Sequence, residues 1–269
     1  MKSGTTWLYR QLEQHPAIHF SPEKELHYLA DAAGHSKNLR FAYRLNRFTA
    51  ARARAKITGR AMSFSRLCWY FDYLFMPRTW RWYNRRFGGA SPEGYCADFS
   101  NLTVLLGEKD WADLDSKVDE IRIVYVLRDP FDRIWSQLKS HYQASDDLEK
   151  VMTLESYLEQ VDIREEDLLR HSLYAENMRP LFVNFDPKKI MLVSYEQILQ
   201  DPARLLLDVE NFLDIPPHHY LPAKLRRKIN ASDSKARPAW IKDHFYPLIA
   251  HDLQALRAMD IDFTDRWCP

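Results

Sequence analysis

A lysine, a glycine and two hydroxyls stand directly ahead of an apolar helical run: Lys2-Ser3-Gly4-Thr5-Thr6-Trp7. Gly4 admits backbone angles that other residues resist, so the chain can wrap closely round an anion. Thr5 and Thr6 open a helix whose first amides have no partner within it. Those amides, the helix dipole and the Lys2 ammonium all favour a bound phosphate. The order departs from the common nucleotide loop, G-x-x-x-x-G-K-[ST], because here the lysine precedes the glycine. The same residues also make an ordinary helix N-cap, so this stretch alone leaves two readings open.

A second candidate grip lies far downstream. The run Ile121-Arg122-Ile123-Val124-Tyr125-Val126-Leu127 is β-branched and nearly continuous in apolar character, as a strand covered on both faces should be. It ends at Arg128-Asp129-Pro130, and Pro130 suits the first turn of a helix. Arg128 then sits at the carboxyl end of a strand, where open α/β sheets bind ligands. Ser136 follows two turns into the helix. A guanidinium and a hydroxyl so placed could hold a second phosphate. The alternatives are an ion pair of Arg128 with Asp129 or Asp132, and a surface position for Ser136.

The third stretch is Lys24-Glu25-Leu26-His27-Tyr28. Glu25 and His27 are two apart, so in an extended chain they face the same way and could supply a general base. A solvated charged turn is the alternative. Basic charge returns at Lys224-Leu225-Arg226-Arg227-Lys228 and Lys235-Ala236-Arg237, either as a segment that closes over an anion or as a solvated run.

The elements that must position these residues read as alternating helix and strand. Helices are expected from Thr5 to about His15, from Ser36 to about Thr58, on either side of a break at Pro77 within 64–87, and from Pro130. Further helices are expected over about 154–161, 164–185, 195–199, 202–213 and 241–259. Strands are expected at Ala17–Phe20, Gly94–Ser100, Ile121–Leu127 and Lys189–Ser194. The aromatics between Phe64 and Phe87 are expected to be mostly core. The whole reads as one domain, 1–269, with a helical insertion around 36–87. Nothing but Met1 precedes the first cradle, whereas such a loop normally hangs from a buried strand. The first strand is therefore expected to be missing from the chain.

Composition narrows the function. The 269 residues are 46% hydrophobic and 28% charged, as in globular proteins, and the formal net charge of +1 gives no global pull toward nucleic acid. Three widely spaced cysteines, Cys68, Cys96 and Cys268, form neither a disulfide framework nor a zinc pattern, and fit a reducing, cytoplasmic setting. No stretch approaches a membrane span. The histidines show no metal-ligand spacing, so no metal is expected.

Taken together, Lys2 through Trp7 and Val126 through Ser136 resemble the two signature loops of the sulfotransferases that use 3′-phosphoadenosine 5′-phosphosulfate. Lys24-Glu25-Leu26-His27-Tyr28 is similar to the Lys-Glu-x-His segment of the glycan O-sulfotransferases and their bacterial relatives. Ser172-Leu173-Tyr174-Ala175 and Leu192-Val193-Ser194-Tyr195-Glu196 are similar to later family segments. The resemblance implies an α/β, P-loop-like three-layer fold with a central parallel sheet flanked by helices. It implies that Lys2, Ser3, Gly4, Thr5, Thr6 and Trp7 hold the 5′-phosphosulfate and that Arg128 and Ser136 hold the 3′-phosphate. Tyr195, Lys235 and Arg237 join the expected nucleotide contacts. Glu25 matches the family's general base, supported by His27, and Lys2 would stabilise the leaving phosphate. The expected reaction is in-line sulfuryl transfer to an acceptor hydroxyl, less readily an amine, on a small molecule, glycan or lipid. A kinase-like phosphotransferase and a truncated, non-catalytic nucleotide-binding module are the competing readings. The glycan enzymes carry a second lysine in a Glu-Lys-Thr-Pro run where this chain has Asp98-Phe99-Ser100-Asn101, so their acceptor chemistry does not carry over whole.

Overall fold

A computed structural model describes residues 2–59, 61–88, 94–142, 168–225 and 236–267. It divides into two compact units: Met1–Gln11 with Gly107–Pro269, and Leu12–Leu106. Parallel strands and helices make it an α/β fold.

The first unit is built on two parallel strands, β3 (Ile123–Leu127) and β4 (Ile190–Ser194), paired from Ile123↔Ile190 to Leu127↔Ser194. β3 begins two residues later than its apolar run because the ladder begins where Ile190 does. Helix α7 (Pro130–Tyr142) follows β3, with Pro130 in its first turn as expected. The Asp129 carboxylate accepts the amides of Phe131 at 2.8 Å and Asp132 at 3.0 Å, capping two donors the helix cannot satisfy. α7 packs Phe131, Ile134 and Leu138 against α8 (Tyr174–Asn184) and the long α12 (Ala239–Ala258). Asp252 of α12, buried, accepts the Ala175 and Glu176 amides at 3.2 and 2.9 Å and so ties the start of α8 to the core. Ser194 closes β4 with a capping box that opens α9 (Tyr195–Gln200), and Asp201 caps α10 (Pro202–Phe212) by accepting the Arg204 amide. Helix α6 (Glu108–Asp115) and the short α11 (Pro222–Leu225) complete this unit. α1 (Thr5–Leu12) buries Trp7 and Leu8, and the Trp7 indole donates to the Leu225 carbonyl at 3.1 Å.

The expected helix over 164–185 is shorter in its described part. Residues 170–173 turn instead of continuing the helix, and α8 starts at Tyr174. The cause is tertiary. Arg133 of α7 is fully buried, and its guanidinium donates to Ser172 Oγ at 2.6 Å, Gln137 Oε1 at 2.6 Å and the Leu168 carbonyl. Those bonds hold the turn open against local helix propensity. The expected helix over 154–161 lies outside the described residues.

In the second unit, β1 (Ile18–Phe20) and β2 (Tyr95–Ala97) pair in parallel, Ile18↔Tyr95 to Phe20↔Ala97. Short α2 (Tyr28–Ala32) is followed by α3 (Phe41–Ile57) and α4 (Phe64–Phe75), then by α5 (Trp80–Asn84). The break at Pro77 is as expected. Met76 is forced to ψ 150 ahead of the proline, and Thr79 then caps α5 through the Trp82 amide. Half of the rings in 64–87 are core: Tyr70, Tyr73, Trp82, Tyr83 and Phe87 form one buried cluster with Tyr28, Leu26, Leu39 and Leu74, whereas Phe64, Phe71 and Phe75 are exposed. Arg86 is enclosed in it, its guanidinium 4.9 Å from the Trp69 ring and 4.7 Å from the Trp82 ring, paired with Asp72.

Candidate active site

In the first unit the two phosphate-type loops come together. Lys2 adopts φ 65 and Gly4 φ 84, the left-handed kink that the loop's glycine was expected to permit. The Gly4 carbonyl then accepts the Trp7 amide at 2.9 Å and the Leu8 amide at 3.2 Å, starting α1. A side chain at position 4 would meet Ile198 Cδ1 at 2.7 Å and the Tyr195 ring at 2.9 Å, so only glycine fits there. Across the loop, Arg128 Nη1 donates to the Lys2 carbonyl at 3.0 Å. Its guanidinium lies 4.5 Å from the centroid of the Tyr195 ring. Tyr195 is therefore shared: one ring packs at Gly4 and under Arg128.

Tyr174 joins the loops from the other side. Its hydroxyl donates to the Arg128 carbonyl at 2.9 Å, accepts from the Arg128 amide at 3.4 Å and bonds the buried Ser3 side chain. Burial pushes that phenol up to about 12, so it remains a donor throughout the neutral range.

The charge here is one-sided. Burial first, then Arg128 and Lys139, hold the Lys2 ammonium below the ordinary lysine value of 10.5. Lys139 of α7 is buried, 5.4 Å from the Trp135 ring centroid. The alternative partners for Arg128 are otherwise engaged: Asp129 caps α7, and Asp132 accepts from Arg237 Nε at 2.7 Å. Among the described residues, no carboxylate pairs with Lys2 or Arg128. Cations brought together without a counter-charge fit an anionic ligand, and the backbone amides opening α1 add to that field. Thr5, Thr6 and Ser136 are half-buried, Thr5 and Thr6 in the first turn of α1 and Ser136 two turns along α7. Arg237 rests over the Phe131 ring at 5.5 Å, beside the Arg128 loop. Lys235 lies outside the described residues.

In the second unit, Glu25 and His27 are neighbours, but not through an extended chain. Both are left-handed, φ 63 and φ 56, so the expected extended geometry is wrong. The kink still turns the side chains together: His27 Nε2 is 3.6 Å from Glu25 Oε2, and Lys24 Nζ is 2.8 Å from Glu25 Oε1. Two sets of bonds hold this conformation. Arg47 of α3 donates to Glu23 Oε2 at 2.8 Å and to the Lys24 carbonyl at 2.9 Å, while the Tyr70 hydroxyl donates to Glu23. On the other side, the His27 amide donates to Ser100 Oγ at 2.8 Å, and Ser100 in turn donates to Asp98 Oδ1 at 2.5 Å. Tyr83 donates to the other Asp98 oxygen at 2.9 Å. Such strain in non-glycine residues is a reason to look for function. Of the positive-φ residues besides glycine among the described residues, Asp214 and Asp260 follow helix ends; the rest are Lys2, Glu25 and His27.

Burial alone would raise the Glu25 carboxyl. Lys24, by charge and hydrogen bond, with His27 and Arg47, outweighs burial and leaves it below the usual carboxylate value. Burial lowers the His27 imidazole, only partly opposed by Glu25. At neutral pH the pair is thus carboxylate plus neutral imidazole, and among the described residues His27 Nδ1 is buried without a hydrogen-bond partner. That arrangement can accept a proton. Tyr174, Lys139 and the Asp98–Ser100 support were not singled out from sequence. The only signal for them was the polar end of the β2 segment and the loose match at Ser172-Leu173-Tyr174-Ala175.

A family model described as the sulfotransferase family matches residues 1–219. The crystal structure of a sulfotransferase from Alicyclobacillus acidocaldarius has a similar fold, with a TM-score of 0.61 at 19% identity, covering 96% of this chain and 91% of that one. No curated protein matches the chain.

Proposed function

This chain belongs to the sulfotransferase family, and from that premise we propose that it moves a sulfuryl group from 3′-phosphoadenosine 5′-phosphosulfate to an acceptor hydroxyl. The observation that carries the choice of donor is the convergence of Lys2 and Arg128, one hydrogen bond apart and without a carboxylate partner among the described residues. A donor with anionic groups at both ends answers that imbalance. Lys2, Ser3, Gly4, Thr5, Thr6 and Trp7 would receive its 5′ end, and Arg128 and Ser136 its 3′-phosphate. Tyr195 would hold Arg128 in place, and Arg237 would lie at the edge of the same loop.

Sulfuryl transfer, like phosphoryl transfer, leaves the protein mainly positioning and charge stabilisation to perform. Lys2 would neutralise charge on the leaving phosphate oxygen. Glu25, ionised at neutral pH, would take the acceptor proton, and His27 would hold the carboxylate's orientation. Lysine and backbone amides supply positive potential, so the chemistry needs no metal. The acceptor would be a small molecule, glycan or lipid. The two units would act as one sulfotransferase-like domain in which 36–87 is a helical insertion.

Calorimetry with adenosine 3′,5′-bisphosphate tests the reading. Measurable affinity is expected, weakened at least about tenfold in Lys2→Ala and in Arg128→Ala. Equal affinity for ATP, or magnesium-dependent ATP turnover, would replace it with a phosphotransferase.

A further inference from the structure

The segment 36–87 carries thirteen Lys and Arg against one acidic residue, Asp72, a formal +12 in a chain whose total is +1. It also forms a helical hairpin with an open apolar side. On α4, Phe64, Leu67, Phe71 and Phe75 recur at three- and four-residue steps, one stripe of the helix. The adjoining stripe, Tyr70, Tyr73 and Leu74, is core, so the apolar surface of α4 extends well beyond the part the core covers. An apolar helix stripe ordinarily faces a core, yet Phe64 is 82% exposed, Phe71 59% and Phe75 58%. The stripe on α3 continues it: Phe41 lies 6.0 Å from Phe75 between ring centroids, and Phe41 and Leu45 are exposed. Further along that same stripe come Arg52 and Lys56, exposed and without a carboxylate partner among the described residues.

We infer that this face of the α3–α4 hairpin docks on an anionic lipid surface. The combination selects that occupant. Large apolar side chains beside exposed cations are what an interfacial helix presents to headgroups and acyl chains, and cations near such a surface add attraction of their own. A second copy of the chain would bring two strongly basic faces together. Nucleic acid would engage the cations but leave Leu45, Leu67 and the flank of Phe64 in water. The inner side of the same hairpin holds the Glu25 loop through Arg47 and Tyr70, which accords with a lipid-borne acceptor. The docking itself does not depend on the chemistry proposed above.

The test is flotation of the full chain with vesicles. It should float with mixed phosphatidylglycerol–phosphatidylcholine vesicles and stay behind with pure phosphatidylcholine. Phe64→Ser/Phe71→Ser should reduce partitioning at least about tenfold, from the lost apolar area, while leaving the melting temperature and bisphosphate affinity unchanged. Arg52→Gln/Lys56→Gln should give a loss that grows as salt is lowered, because it removes the screened part of the attraction. Failure to float at low salt would overturn the inference. So would flotation indifferent to the phenylalanine changes, or a dimer by light scattering that those changes dissolve, which would give the face to a second copy.

Discussion

The loops at Lys2 and Arg128 and the loop at Glu25 are both kinked through left-handed residues, but their charges are arranged in opposite ways. Around Glu25 every charge is answered internally: Lys24 sits on Glu25, Arg47 on Glu23, and Ser100 and Tyr83 on Asp98. Around Lys2 and Arg128, cations face cations, and burial together with those neighbours holds the ammonium below its ordinary value. A finished electrostatic arrangement tunes its own groups; an unfinished one waits for a ligand. The contrast accords with the roles proposed above, proton transfer at the Glu25 loop and anion binding at the Lys2 and Arg128 loops.

Several substitutions bear on that contrast, and the largest effect is expected at Glu25. Glu25→Gln should lower turnover by about a hundred- to ten-thousand-fold while adenosine 3′,5′-bisphosphate binds as before. Retained turnover would move the base to His27. Gly4→Ala should follow, since the new methyl meets Ile198 and Tyr195 and the backbone is left-handed. Strain of about 1–3 kcal/mol should appear as a lower melting temperature together with lost bisphosphate affinity. Arg128→Ala should weaken bisphosphate binding by about ten- to a hundredfold, the worth of one charged hydrogen bond, with little change in turnover at saturating donor.

A pH titration separates the loops further. The folded pKa of Lys2 lies below its unfolded value of 10.5, so the unfolded chain binds that proton more tightly. Stability without ligand should therefore rise with pH between the lowered pKa and the unfolded one. Bisphosphate affinity should fall over the same window as the ammonium is lost. Lys2→Ala should abolish both trends. The smallest expected effect is at the support of the base: Ser100→Ala removes the acceptor of the His27 amide and should cost about 0.5–1.5 kcal/mol of stability, with a turnover loss under about tenfold.

Much of this was legible in the residues because the features are local. A glycine that must be left-handed, a proline that opens α7 and another that separates α4 from α5 act within a few positions of themselves. β3 was legible because a strand covered on both faces needs an unbroken apolar run, although its first pair waits on Ile190 of β4. The Glu25–His27 loop was read as extended because two-residue spacing is meaningful only in an extended chain. Its true conformation is imposed by Arg47, Tyr70 and Ser100, which come from distant segments. The turn at 170–173 was likewise hidden, since the Arg133 guanidinium that opens it lies nearly forty positions earlier. Tyr174 and Lys139 escaped notice because their types carry no chemistry until the fold sets them beside Ser3 and Lys2.

One aromatic ring has a consequence for what the enzyme will accept. Tyr195 is wedged between the glycine kink and the guanidinium, so the gap separating the two cationic ends is set by a flat, incompressible spacer rather than by flexible chain. On the proposed reading it would act as a gauge of length: a nucleotide charged at one end only would satisfy half of the span, and a longer or shorter one would not satisfy both halves at once.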